Sequence, residues 1–304
     1  MAVYNDLQPY YQRVDFFHDP IFKTWVSYMN AFVSKNSCKS DELFSELSSA
    51  FEGVAFSRIL TVATKFPNME STATKLRYEK ASTILASKES PEKIFQLLAL
   101  DDVEKKLLSD TLFHKWMRYQ DSFNKANPRH QESGANTLRV NYNWGGIEII
   151  IETGRQNPST REMAEKVEDA FHNYWLTTKT TPKVALRFLY LHEIGEKTLV
   201  NPKFSTWVKY LDNFNDRYPG EKTTVIDGLK AHYGDRALLQ MLNAAKEDPS
   251  TKKLVTDLQS ALILKWRDAK QTPEKLTSML DGVPNSREMI DRYTTLISGT
   301  KTTT

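Results

Sequence analysis

The stretch FKTWVSYMNAF, residues 22–32, decides the architecture of this chain because two similar stretches follow it at a fixed distance. The second is FHKWMRYQDSF at residues 113–123, and the third is FSTWVKYLDNF at residues 204–214. The tryptophan of each copy lies 91 residues after the tryptophan of the copy before it. Recurrence at a constant period predicts a tandem array of equivalent structural units.

The same period holds between the three copies. The prolines at residues 67, 158 and 249 are 91 residues apart, and so are those at residues 91, 182 and 273. No Gly/Ser-rich or Pro-rich linker interrupts the register, so we expect rigid connections. The predicted divisions are a first repeat with an N-terminal helix at 1–106, a second repeat at 107–197 and a third repeat at 198–288. The start of a further connecting helix and a disordered tail are predicted at 289–304.

The recurring stretch has the apolar spacing of a helix with one buried face. Phe22, Trp25, Met29 and Phe32 follow the i, i+3, i+7, i+10 pattern. The run 146–151 is the one ambiguous segment, and its register with helical patterns in the other units predicts a helix. The fold class is therefore all-α, with three repeats of about 91 residues and about five helices each, stacked end to end.

The aromatic landmarks are predicted to form the shared interior. A tryptophan at helical spacing beside phenylalanines is far more typical of a core than of a site that stacks bases or sugars. The predicted core residues are Trp25, Trp116 and Trp207 with their neighbours Phe22, Phe113 and Phe204, together with Trp175 and Trp266 at the later aromatic position.

Composition excludes several classes of function. The net charge of +3 is mild and its Lys and Arg residues are interleaved with Asp and Glu, so a basic stripe for nucleic acid is absent. Cys38 is the single cysteine, which excludes an intramolecular disulfide. No apolar run reaches ~18 residues and no signal peptide is visible. No metal-binding, phosphate-loop or nucleophile motif occurs, so we expect no cofactor, no metal and no catalytic residues.

The second predicted repeat, 107–197, carries the candidate partner-binding residues. The loop 124–136 and the residues Arg139, Tyr142 and Trp144 that follow it have no apparent counterpart in the other repeats, and Trp144 falls in register with Gly53 and Asp235. Tyr, Trp and Arg dominate the energetics of protein interfaces. We therefore predict that a partner-binding face contains Arg129, Arg139, Tyr142 and Trp144. The alternative is that Trp144 fills a local gap in the packing.

The recurring tryptophan, the second aromatic and the proline that opens each closing helix resemble the WY/LWY repeats of oomycete RXLR effectors. Trp25, Trp116 and Trp207 match the W position; Trp175 and Trp266, with Ile84 as a departure, match the Y position. Leu107 and Leu108 fit the connecting L motif, and so does Leu199 with Val200. The likeness covers nearly the whole chain. Within the family, the chain resembles the type that suppresses RNA silencing. The RXLR and EER segments of the family are absent from this sequence.

The resemblance implies a Phytophthora virulence protein that is secreted, enters the host cell cytoplasm and binds host plant proteins to suppress immunity. Some tandem members of the family act as substitute regulatory subunits that recruit protein phosphatase 2A through its scaffold subunit, which is the partner that the resemblance suggests here. We expect a monomer that binds neither membranes nor nucleic acid. The alternative function is an RNA-binding helical repeat, although such readers use shorter repeats; an enzyme is a third and weaker reading.

Overall fold

A computed structural model describes residues 20–36 and 39–299 of the chain. The chain is 79% helical and contains no strand in the part described. The all-α prediction is therefore confirmed, and the ambiguous run 146–151 lies inside a helix. The predicted N-terminal helix, Cys38 and the predicted tail from residue 300 onward lie outside the described residues.

The described residues form sixteen α-helices, of which the first fifteen follow the 91-residue register. The first set is α1 Pro20–Lys35, α2 Ser40–Ala50, α3 Gly53–Ala63, α4 Glu70–Ala86 and α5 Pro91–Leu97; the second is α6 Thr111–Ala126, α7 Gly134–Asn141, α8 Trp144–Gln156, α9 Arg161–Thr177 and α10 Pro182–Phe188; the third is α11 Pro202–Arg217, α12 Val225–Lys230, α13 Asp235–Lys246, α14 Lys252–Asp268 and α15 Pro273–Met279; the last helix is α16 Ser286–Gly299.

Helix boundaries recur because the residues that set them recur. Proline occupies the first position of α5, α10 and α15, where its missing N–H has no helical partner to lose. The helices α4, α9 and α14 each have 17 residues and are followed by a lysine in the left-handed region, at Lys88, Lys179 and Lys270. After Lys179 and Lys270, the backbone N–H of the following residue donates to the carbonyl of Trp175 or Trp266, which closes the end of α9 or α14.

By its contacts the chain separates into two compact units, Met1–Phe171 and His172–Thr304. In the first unit, Trp116 of α6 is 1% exposed, and its indole Nε1–H donates to the Pro91 carbonyl at the start of α5 over 2.7 Å. The ring of Phe95 meets the Trp116 indole edge-on at 5.0 Å. The hydroxyl of Tyr119 donates to the Glu89 carbonyl. These contacts fix α6 onto the closing helix before it.

The second unit repeats the arrangement 91 residues later. Trp207 of α11 is fully buried, and its Nε1–H donates to the Pro182 carbonyl over 2.8 Å. The hydroxyl of Tyr210 donates to the Thr180 carbonyl over 2.5 Å, and its ring packs edge-on against Trp175 at 5.5 Å. Equal contacts at equal spacing indicate that the register reflects one repeated junction.

The last helix, α16, makes a third copy of the tyrosine contacts, although its tyrosine does not lie 91 residues after Tyr210. The hydroxyl of Tyr293 donates to the Gln271 carbonyl over 2.5 Å, and its ring stands at 90° to Trp266 at 6.1 Å. Gln271 is the register equivalent of Thr180, so Tyr293 occupies the place of Tyr210. The helix begins at Ser286, three residues before the predicted boundary at 289.

The predicted core residues all lie in the interior. Trp25, Trp175, Trp266, Phe22, Phe113 and Phe204 are buried, as are Trp116 and Trp207. Within each tryptophan helix the phenylalanine three residues earlier packs against the indole, at 5.9 Å in α1, 5.6 Å in α6 and 5.7 Å in α11. Buried aromatic rings of this size dominate the apolar area removed from water.

Candidate partner-binding surface

The loop that carries Arg129 is closed by two side chains of α6, Gln120 and Asn124, and Gln120 donates to the Glu132 carbonyl over 3.0 Å. Asn124 near the end of α6 donates from its amide to the Glu132 carbonyl over 2.8 Å and accepts from the Glu132 amide over 2.9 Å. This clasp leaves Arg129 exposed at the tip of the loop. Asn215 makes the same two bonds to Thr223, at 2.8 and 2.9 Å. The loop therefore has a structural counterpart in the third repeat, which corrects the expectation that it has none.

Tyr142 lies in the core and not on a binding face, so its assignment as a partner-binding residue is wrong. The side chain is 9% exposed, and its hydroxyl donates to the Leu100 carbonyl over 2.5 Å. Tyr233, at the same place 91 residues later, donates to the Leu191 carbonyl. A buried phenol with a satisfied hydroxyl stabilises the fold and has no free surface to offer.

Arg139 lies on the exposed side of α7 next to an exposed apolar side chain. Ser133 caps this helix by accepting from the Asn136 amide, and Ala135 and Leu138 bury the opposite side. Arg139 donates to the Asn136 side-chain oxygen over 3.0 Å. Its neighbour Val140 is 52% exposed, which sequence reasoning did not single out.

Trp144 opens α8 and is only half-buried. The side chain of Asn143 caps the helix by accepting from the Gly146 amide over 2.8 Å, which sets the position of the first turn. The edge of the indole packs against the buried ring of Phe171 at 5.4 Å. Trp144 thus combines a packing contact with an accessible surface, and its role in partner binding stays a prediction. Ile149 on the same helix is 47% exposed.

The described residues contain no group of three or more His, Cys, Asp or Glu side chains arranged to hold a metal ion. Among the same residues, no helix has the length and apolar content needed to cross a bilayer. The surface of α7 and α8 offers instead a guanidinium, an indole edge and two aliphatic side chains. Those groups suit contact with another macromolecule through apolar packing and charge-assisted hydrogen bonds.

Comparisons with known proteins give the relatives of the chain. The family described as Effector PexRD54, WY-domain matches residues 171–211, which include Trp175 and Trp207. An RxLR effector protein of Phytophthora infestans (strain T30-4) is 58% identical over 298 residues, covering 98% of this chain and 44% of that protein. The proteins named RxLR effector protein PSR2 are 34% identical in P. infestans, covering 83% of this chain and 33% of the relative, and 32% identical in P. sojae, covering 88% and 40%.

The chain spans less than half the length of each of these three relatives. The crystal structure of PcRxLR12 matches 96% of this chain and 72% of that one, with a TM-score of 0.50 and 26% identity. Helical fold, repeat register and sequence relatives agree with one another. The chain therefore belongs to the Phytophthora RxLR effectors that are built from WY-type helical repeats.

Proposed function

We propose that the chain is a host-protein-binding part of a virulence effector that is secreted by a Phytophthora pathogen and delivered into the host cell cytoplasm. In this role the buried repeats serve as a scaffold, and the exterior binds host plant proteins to suppress immunity without a catalytic site. Support comes from the relatives, which are named RxLR effector proteins. Three repeat units with the predicted boundaries would supply a long exterior for such contacts.

One observation about the exterior carries the proposal. Trp144, Val140 and Ile149 expose apolar surface on α7 and α8. In the other two repeats the same register positions hold small or polar residues: glycine and aspartate for Trp144, serine and alanine for Val140, arginine and glutamine for Ile149. The contact of Trp144 with Phe171 uses only part of its indole, and exposed apolar groups such as these three side chains mark interaction sites.

Arg139 and Arg129 complete the proposed face. Both are exposed, and the capped start of α7 and the Asn124 clasp fix the backbone that presents them. An arginine beside an indole and aliphatic groups is the composition found at the centre of protein interfaces. The proposed partner-binding set is therefore Arg129, Arg139, Val140, Trp144 and Ile149.

The scaffold subunit of protein phosphatase 2A is the host partner that we propose for this face. The likeness to the suppressor-of-RNA-silencing type suggests it, and two of the relatives are named PSR2. In this role the chain would act as a substitute regulatory subunit and bring the core enzyme to new targets. The client proteins would then bind elsewhere on the exterior.

Titration calorimetry with the purified chain and the purified scaffold subunit tests the proposal. The variants Val140→Ser and Ile149→Gln introduce residues that other repeats carry at those positions, and Trp144→Ala removes the indole. Each is expected to weaken binding by about tenfold or more, with unchanged helicity. Leu264→Gln, a change at an exposed leucine of α14, is the matched control. Failure of the unmodified chain to bind would refute this partner, and equal affinity of all variants would refute this face.

A further inference from the structure

A polar cleft lies in the first unit, and its lining shares no residue with the proposed partner-binding face. Its volume is about 610 Å³, within the range of small-ligand sites. The end of α3, one side of α4, the 3₁₀ segment Glu104–Ser109 and the first residue of α6 form its walls. Its lining residues come from three separate stretches, 61–65, 70–78 and 103–111, which approach one another only in the folded chain.

Positive charge dominates the lining. Lys65, Arg77, Lys105 and Lys106 face the cleft with only two carboxylates, Glu70 and Asp110, which leaves an excess of two positive charges. The Arg77 guanidinium and the Asp110 carboxylate pair at 3.1 Å, with each side chain 10% exposed. The lysine side chains on the two walls are exposed.

Hydrogen-bond donors accompany the charge. The buried Nε–H of Arg77 has no acceptor in the described structure, although a buried guanidinium donor is costly to leave unpaired. The lining also contains the hydroxyl groups of Thr74, Tyr78 and Thr111. Those of Thr61, Thr64 and Ser109 donate to backbone carbonyls of their own segments. The Lys115 ammonium, which is not part of the lining, lies 5.6 Å from the centre of the Tyr78 ring.

The second repeat reverses this chemistry at the same register. Arg77 corresponds to Glu168 and Lys105 to Glu196, while Thr64 corresponds to Arg155. In the second repeat that arginine pairs with Glu152 and Glu168, so an internal ion-pair network uses the positions that line the cleft in the first. Since the repeat folds with either sign of charge, the cationic lining of the first repeat is not a requirement of its core.

We propose that this cleft binds a phosphate monoester or a related phosphoryl group. A phosphate monoester carries close to two negative charges at neutral pH and three strong acceptor oxygens, which match the charge excess and the donors of the lining. Lysines bind phosphate as point charges, and an arginine supplies directed N–H donors. The ligand is either a free phosphorylated metabolite or a phosphorylated side chain of a protein, and both present the same group.

The test uses the full chain, with inorganic pyrophosphate, a phosphoserine peptide and the same peptide with glutamate as probes in titration calorimetry. The unmodified chain is expected to bind pyrophosphate with a Kd of about 1 mM or lower. Lys106→Glu is expected to weaken this by about tenfold, and Lys65→Gln, which introduces the residue of the second repeat, by about threefold or more. Lys197→Glu makes the same change at the register equivalent of Lys106 and should alter the affinity less than about twofold.

The probes separate the two sources of the ligand. Tighter binding of the phosphoserine peptide than of pyrophosphate assigns the cleft to a phosphorylated protein, and the reverse assigns it to a small metabolite; both support the proposal. Absence of pyrophosphate and phosphopeptide binding would overturn it, as would equal weakening by the Lys197 variant. Equal binding of the glutamate peptide would replace the phosphoryl group by a carboxylate and overturn the assignment. This outcome is independent of binding to the phosphatase scaffold.

Discussion

Replacing Trp116 by alanine is the most informative perturbation of the fold. The indole is 1% exposed and packs between Phe95, at 5.0 Å, and Phe113, at 5.6 Å. Truncation of a buried aromatic side chain leaves a cavity and typically costs about 3–5 kcal/mol. The change also leaves the Pro91 carbonyl without its indole donor, for which about 1–3 kcal/mol is typical when the acceptor stays buried.

These contributions overlap, because the cavity gives the unpaired Pro91 carbonyl room to find another partner. We therefore expect a total loss of about 3–5 kcal/mol in the free energy of unfolding of the first unit. A loss of ~4 kcal/mol corresponds to a fall of about 8–16 °C in melting temperature for a cooperative unit of this size.

Urea unfolding followed by circular dichroism measures the effect, with Trp144→Ala as the control at a half-buried tryptophan of the same unit. The control is expected to lose about 1 kcal/mol. Trp116→Phe separates the hydrogen bond from the ring, since it retains most of the packing but cannot donate. A Trp116→Ala variant that is no less stable than Trp144→Ala would refute the assignment of Trp116 to the core.

Two further changes test the second unit. Gly228→Ala should destabilise it by about 1–3 kcal/mol despite the better helix propensity of alanine, because the added methyl would lie 2.5 Å from the Trp207 ring; Gly220→Ala, which meets nothing within 4 Å, is the control for urea unfolding. Burial raises the pKa of Tyr210, with the nearby Tyr218 as a smaller cause, so its contribution to stability is present below pH ~10 and declines as the pH rises above that value. Tyr210→Phe should therefore lessen the decline in unfolding free energy measured between pH 9 and 11, and an unchanged decline would contradict this role.

The fold was predictable because the same residues meet the same neighbours at two junctions that lie 91 residues apart. Trp116 and Trp207 donate to the carbonyls of Pro91 and Pro182. Tyr119 and Tyr210 donate to the carbonyls of the residues two positions before those prolines, Glu89 and Thr180. A contact that is repeated in the fold requires the same type of residue at the same spacing in the sequence. The 91-residue spacing therefore identified the buried residues. Division into three repeat units with the predicted boundaries stays a prediction.

The candidate site was harder to predict because a difference between repeats has several causes. Tyr142 was misassigned although its equivalent, Tyr233, stands 91 residues later, and both tyrosines donate to a leucine carbonyl. Phe51 at the first equivalent position lacks the hydroxyl, which concealed the correspondence. The exposure of Val140 was not apparent from the sequence either. The outward side of α7 is known only once the structure shows that Ala135, Thr137 and Leu138 are buried.

The cationic cleft was missed because it depends on segments that approach one another only in the folded chain. One sequence signal was nevertheless present, namely the reversal of charge between Arg77 and Glu168 and between Lys105 and Glu196 at equal register. Comparison of repeats by charge, as well as by apolar character, finds such positions. Their grouping around one cavity still requires coordinates.

Hydrogen exchange of the indole Nε1–H groups, followed by NMR, tests the central claim most directly: the recurring tryptophans belong to the interior and the exterior is left for partners. Trp116 and Trp207 donate these hydrogens to buried carbonyls at 2.7 and 2.8 Å. We predict that both exchange only through opening of their units, with protection by several orders of magnitude, and that the half-buried Trp144 exchanges much faster. Equal and rapid exchange of all three indoles would contradict the claim.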